Sequence, residues 1–111
     1  MRVTEEKLLR EKENAIKTHI NRGDVKFVNT FNFLRNHYAL KNWAGKAPVL
    51  PVFEAIYIKI VHYPAWKLAL YCNVSRSTLF NYRNAIINDF YLCLNENLLT
   101  EEIAITKEND K

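Results

Sequence analysis

Glycine and proline are scarce in this chain, with 2 Gly and 3 Pro among 111 residues. An all-β chain needs many tight turns, and those turns depend on these two residue types. Hydrophobic residues make up 49% of the sequence and include 6 Phe, 6 Tyr and 2 Trp. A chain of this length and composition can bury a core without a metal or a disulfide. We therefore predict one all-α domain over residues 1–111.

The first half of the chain, residues 5–43, is predicted to form a hairpin of two helices. Gly23 suits the position just after the end of the first helix, and Asp24 is a good cap for the second. Phe31 and Phe33 lie about 200° apart on an ideal helix, so at least one should face a second surface. The apolar residues that recur at helical spacing in the second segment are Phe27, Phe31, Leu34 and Tyr38.

The middle of the chain is marked by residues 44–51, AGKAPVLP, which hold one of the two glycines and two of the three prolines. Such a stretch predicts a linker. The following VFEAIYIKIVHY is rich in residues that favour strands, but its apolar residues share one broad helical face and a lone strand would have no partner. We expect a helix ending at His62-Tyr63-Pro64, because the residue before proline disfavours helical backbone. The polar, acidic residues 98–111 predict a frayed tail.

Residues 52–97 contain the pattern of a helix-turn-helix unit, in which two helices cross closely and are joined by a short turn. Ala69 leaves room for the crossing, Asn73 tolerates the positive φ that the turn needs, and Val74 can fill the corner. Ser75 is a good cap for a long second helix. The alternative is a plain helical corner in a bundle. The residues expected to face inward are Leu68, Ala69, Cys72, Val74, Leu79 and Tyr82.

In this register, one surface of the second helix is predicted to enter the major groove of duplex DNA as a recognition helix. Arg can bond guanine bidentately, Asn can do the same for adenine, Ser serves bases or phosphates, and an exposed Phe can meet a thymine methyl group. A protein partner is the alternative for the Phe, and solvated charge is the alternative for the basic residues. The predicted base-reading residues are Arg76, Ser77, Phe80, Asn81 and Asn84. The predicted phosphate contacts are Lys59, Lys67, Ser75 and Arg83.

A family resemblance rests on an apolar helix with aromatic residues, a Trp-x-Leu-Ala segment, a Val-Ser-x-Ser-Thr turn and a long following helix. The residues at those places are Trp66, Leu68, Ala69, Val74, Ser75, Ser77, Thr78, Tyr82, Arg83 and Ala85. Residues 54–94 thereby resemble the C-terminal, sigma-region-4-like helix-turn-helix of small phage regulators of the ArpU and RinA type. The resemblance implies regulation of transcription at a promoter, with RNA polymerase or a sigma factor nearby. It does not extend to the N-terminal hairpin.

Charge is distributed unevenly, from a net +5 over residues 1–50 and +2 over 51–93 to −3 over 94–111. A basic body with an acidic tail suits a nucleic-acid partner. The N-terminus is charged and lacks an apolar signal segment, and no run is long enough for a membrane span, so we expect a cytoplasmic protein outside the membrane. Cys72 and Cys93 are then expected to be reduced thiols, with a disulfide as the alternative.

No catalytic grouping is recognisable. The three histidines occupy different segments without a carboxylate or cysteine at ligand spacing, and two isolated glycines cannot form a phosphate-binding loop. The prediction is therefore a non-enzymatic, sequence-specific duplex DNA-binding transcription regulator of a phage or mobile element, without metal or cofactor. The alternative is a protein-interaction module that docks on RNA polymerase, a sigma factor or another host protein. Homodimerisation would let the chain read two half-sites.

Overall fold

The computed structural model describes the backbone of residues 3–43 and 49–109, and the side chains of residues 5–41 and 49–95. Within those ranges the chain is helical and contains no strand, so the all-α prediction is confirmed. The helices are α1 (Val3–Asn21), α2 (Val25–Trp43), α3 (Val49–Phe53, continued by a π-helical turn over Glu54–Ile58), α4 (Ala65–Tyr71) and α5 (Arg76–Asn109).

The turn between α1 and α2 depends on Gly23, whose φ is +75°. The Gly23 amide donates to the carbonyl of Ile20 (3.0 Å), and the Asp24 amide donates to the carbonyl of His19 (3.1 Å). These bonds satisfy carbonyls that the end of α1 would otherwise leave unpaired. The role predicted for Gly23 is confirmed, and the turn brings α1 and α2 into contact.

The segment after α2 differs from its prediction. Residues 44–48 of the predicted linker lie outside the described residues, but 49–51 belong to α3. Pro51 is tolerated there because its missing N–H falls in the first helical turn, where amides lack intrahelical acceptors. The helical prediction for this segment is confirmed, but the helix ends at Ile58, before the expected end at His62-Tyr63-Pro64.

Ile60 explains the early end of this helix. Its φ is +51°, a left-handed conformation that β-branched residues rarely adopt. The wide turn around it is closed by the Lys59 amide, which donates to the carbonyl of Glu54 (2.7 Å), and by the Val61 amide, which donates to the carbonyl of Ala55 (3.0 Å). Nothing in the sequence predicts the left-handed conformation at Ile60, because glycine or asparagine normally occupies such a position.

Helix α5 is 34 residues long and continues through most of the predicted frayed tail. The sequence contains no glycine or proline after Pro64. The acidic segment therefore lacks a residue that would stop the helix, and its backbone is helical to Asn109.

Phe53 occupies the centre of the core and has no exposed surface. Its ring lies 5.4 Å from that of Phe31, 5.3 Å from that of Tyr38, and 6.4 Å from that of Phe90. The Tyr38 hydroxyl donates to Oδ2 of Asp89 at 2.6 Å, which ties α2 to α5. Burial, together with this bond, raises the pKa of Tyr38 above its ordinary value. Side chains of α2 and α3 thus pack against α5 and hold it in place.

Candidate nucleic-acid interface

A four-residue turn, Cys72 to Ser75, joins α4 to α5. Asn73 has a φ of +58°, as the sequence predicts for this turn. The Val74 amide donates to the carbonyl of Ala69 at 3.0 Å. Ser75 Oγ accepts the amide hydrogen of Thr78 at 3.1 Å and donates to Thr78 Oγ1 at 2.8 Å, which confirms it as the N-cap of α5.

The side chains predicted to face inward do so to different degrees. Four of them are buried and two, Val74 and Tyr82, are half-buried against the core. Ala69 keeps only 3% of its surface exposed, as close packing of α4 on α5 requires. The four buried residues are Leu68, Ala69, Cys72 and Leu79. Burial raises the pKa of the Cys72 thiol, and neither Cys72 nor Cys93 forms a disulfide.

The predicted base-reading residues share one side of α5. At 100° per residue they fall within an arc of about 140°. Three of them are exposed, namely Arg76, Ser77 and Asn81. Phe80 and Asn84 are half-buried, Phe80 packs against the core, and Asn84 Nδ2 donates to the carbonyl of Phe80 at 3.0 Å. The prediction of an exposed Phe80 is therefore wrong.

Helix α1 causes this partial burial. Leu8 and Leu9 of α1 line a hollow together with Phe80 and Asn84. Next to it, Glu5 borders an open cavity of about 480 Å³ whose other walls are Arg76, Ser77, Phe80 and Asn81. The first turns of α1 therefore bound one edge of the base-reading side of α5.

Arg83 was predicted to contact a DNA phosphate, and the structure contradicts this. Its side chain is 3% exposed and is bound by two carboxylates of α1. Nε and Nη2 donate to the two oxygens of Glu13 at 2.9 and 2.7 Å, and Nη1 donates to the two oxygens of Glu6 at 2.9 and 3.0 Å. All three guanidinium nitrogens are engaged, so Arg83 joins α5 to α1.

The contacts in this cluster shift the pKa values of Glu6 and Arg83. Burial alone would raise the pKa of Glu6, but hydrogen bonds from Arg83 and Arg10 bring it below its ordinary value. Burial alone would lower the pKa of Arg83, and the bonds to Glu13 and Glu6 raise it above its ordinary value.

The buried Tyr57 hydroxyl has no hydrogen-bond partner among the described residues. Burial and the nearby Glu13 carboxylate raise its pKa.

This cluster was not predicted from the sequence. Glu13 is only 4% exposed. A signal was present, because Leu9, Glu13 and Ile16 follow at spacings of four and three, which places Glu13 within the apolar stripe of α1. A buried carboxylate requires a cationic partner, but its identity could not be inferred from residues 70 positions apart.

The two lysines predicted to contact phosphates are exposed and lie against tyrosine rings. Lys67 Nζ stands 4.4 Å from the ring centroid of Tyr63. Lys59 Nζ stands 5.7 Å from the centroid of Tyr71 and donates to its hydroxyl at 3.3 Å, a bond that raises the pKa of Lys59. The two tyrosine rings meet edge to face at 5.6 Å. Both ammonium groups are therefore positioned and remain accessible to a phosphate.

Comparisons of the chain with protein-family models, with curated proteins and with solved structures find no match. Among the described residues, no three His, Cys, Asp or Glu side chains come together as a metal site. None of the described helices combines the length and apolar character that crossing a membrane requires.

Proposed function

We propose that this protein is a sequence-specific duplex DNA-binding regulator of transcription in a phage or mobile element. The observation that carries the proposal is the junction of α4 and α5, where a left-handed Asn73 and a Ser75 cap leave Arg76, Ser77 and Asn81 exposed at the start of α5. A helix that enters the major groove contacts bases with such N-terminal residues. The phage context rests on the resemblance of residues 54–94 to the ArpU and RinA type of regulator.

In this proposal each exposed polar side chain contacts a different group of the DNA. Arg76 bonds a guanine, Asn81 an adenine, and Ser77 a base edge or the adjacent phosphate. Lys59 and Lys67, which lie on the adjoining rings of Tyr71 and Tyr63, hold phosphates of the DNA backbone. Ser75 contacts a phosphate if its hydroxyl hydrogen turns from Thr78 Oγ1 to a phosphate oxygen, while the hydroxyl oxygen still caps the Thr78 amide. Asn84 reaches a base if its bond to Phe80 opens.

Selection of bound duplexes from a random DNA pool tests the proposal. At about 150 mM salt, binding that depends only on phosphate contacts is weak. We expect enrichment of one motif, and a palindromic motif would indicate that a homodimer binds two half-sites about 34 Å apart. A pool that stays random after several rounds, with a chain shown to be folded, would rule out a sequence reader.

A second candidate function is docking on a protein, and the outer side of α4 favours it. Trp66, Leu70 and Tyr71 are 55%, 73% and 46% exposed there. Large apolar side chains grouped on a surface are typical of protein interfaces. The candidate partners are RNA polymerase, a sigma factor or another host protein. The test is binding to purified polymerase core and to the holoenzyme that contains a sigma factor. Binding that is lost in Leu70→Asp and kept in Arg76→Ala would support docking. Binding to neither would exclude RNA polymerase and that sigma factor as partners.

A further inference from the structure

A cavity of about 380 Å³ opens between α1, the connection that follows the π-helical turn, and α4. None of the predicted base-reading residues lines it. Its volume lies in the range of sites for small molecules, about 300–1,000 Å³. The cavity is therefore large enough for a ligand of its own, separate from the surface proposed to contact bases.

The walls of this cavity carry an excess of positive charge. Arg10, Lys17 and Arg83 line it, and these three cations face only two carboxylates, Glu13 in the wall and Glu6 next to it, so one positive charge is unbalanced. Arg83 donates four of its five N–H groups to the two carboxylates, and the Nε–H of Arg10 donates to Glu6. Lys17 is half-buried and has neither an ion pair nor a hydrogen bond within the described part of the chain. A ligand can therefore pair with Lys17 without breaking an existing bond.

The remaining walls combine apolar and polar side chains. Ile56, Val61 and Leu68 supply hydrocarbon surface, and the imidazole of His62 lines the same cavity. The connection that carries Val61 and His62 begins at Ile60, whose backbone is left-handed. Such backbone strain persists only where surrounding contacts enforce it, and it is concentrated at ligand clamps and other functional sites.

We propose that this cavity binds a small phosphate ester with an apolar or aromatic body. The phosphate lies between Lys17, Arg10 and His62, and the body lies on Ile56, Val61 and Leu68. A phosphate monoester offers three oxygens to the donors of Lys17, Arg10 and His62, whereas a carboxylate offers two. Because Glu13 and Arg83 also line the cavity, the ligand would sit beside the ion pairs that join α1 to α5.

Titration of the uniformly ¹⁵N-labelled full chain with phenyl phosphate, followed by two-dimensional NMR, tests this site. We expect saturable shifts in amides of residues 14–17 and 61–63, with a Kd of about 1 mM for a ligand of this size. Lys17→Gln should weaken binding about tenfold, because it removes a charge-assisted bond in a partly desolvated site. Lys7→Gln removes an exposed charge from the same helix and should leave the Kd unchanged.

Two further probes identify the group that is recognised. Phenol has the aromatic body without the phosphate, and it should produce no saturable shift at these amides. A random-sequence duplex offers the same phosphate chemistry from DNA. If Lys17→Gln weakens binding of that duplex while phenyl phosphate alone does not bind, the cavity is a contact for DNA phosphates and the small-ligand site is overturned. It is equally overturned if phenyl phosphate binds Lys17→Gln and the unmodified chain with the same Kd.

Discussion

The buried Arg83 cluster makes the position of α1 on α5 depend on one carboxylate more than on the others. Glu13 and Glu6 each accept two bonds from Arg83, but their side chains are 5% and 19% exposed, respectively. Water can partly replace the carboxylate of Glu6, whereas loss of the Glu13 carboxylate leaves half of a buried guanidinium without an acceptor. Leaving such a charge unpaired costs about 3–5 kcal/mol.

We therefore predict a ranking of losses in the free energy of unfolding. Glu13→Leu should cost about 3–5 kcal/mol, and Glu6→Leu about 1–2 kcal/mol. Arg10→Ala should cost less than about 0.5 kcal/mol, because Arg10 is 50% exposed and forms an ordinary helix-surface pair with Glu6. Urea unfolding followed by circular dichroism at neutral pH measures all three.

A double-mutant cycle separates the pairing of these charges from the packing of their side chains. Arg83→Met keeps much of the side-chain volume, and in combination with Glu13→Leu it replaces the buried pair by apolar groups. The double variant should lose at least about 2 kcal/mol less than the sum of the two single losses, because neither charge is left unpaired. Additive losses, or a cost below about 1 kcal/mol for Glu13→Leu, would refute the reasoning that a buried ion pair docks α1.

Three further predictions concern the backbone and pH. Gly23 has a φ of +75°, and a Cβ added there would meet no atom within 4 Å. Gly23→Ala should therefore lower the free energy of unfolding in urea by about 1 kcal/mol through backbone strain alone. An unchanged free energy of unfolding would contradict this prediction. At Ile60 (φ +51°), Ile60→Gly should be more stable than Ile60→Ala by about 1 kcal/mol, whereas a more stable Ala variant would show that the residue is not left-handed. The folded-state pKa of Glu6 lies below its ordinary 4.5, so its contribution is present above 4.5 and is lost as pH falls through the folded pKa. The unmodified chain should therefore lose more stability than Glu6→Gln as pH is lowered from about 5 to 3, and parallel curves would exclude this linkage.

The local features of the fold were accessible from sequence because their signals are local. Gly23 and Asn73 occupy left-handed positions and Ser75 caps α5, and each is a residue type that favours that geometry. Of the aromatic pair in α2, Phe31 packs on Phe53 while Phe33 is 57% exposed, as the angle between them predicted. The inward-facing residues of α4 and α5 follow from helical spacing in the same way.

The features that were not predictable from the sequence depend on contacts between distant residues or on a conformation that the residue type does not favour. Arg83 occupies a position typical of a phosphate contact, and only the docking of α1 turns it inward. The same docking half-buries Phe80 and brings Glu5 to the edge of the reading side of α5. Ile60 adopts a positive φ that isoleucine disfavours, so periodicity extended its helix too far.

The affinity of the Arg76→Ala variant for a selected duplex and for a random duplex tests the central proposal most directly. Arg76 is exposed at the first residue of α5 and has no resolved bond to another described residue that the substitution would break. We predict that binding to the selected duplex weakens by about 1–3 kcal/mol while binding to random DNA changes little. Arg35→Ala, which removes an exposed charge from α2, should leave both affinities nearly unchanged. Equal losses of Arg76→Ala on the two duplexes would show that Arg76 reads no base and would contradict the proposal.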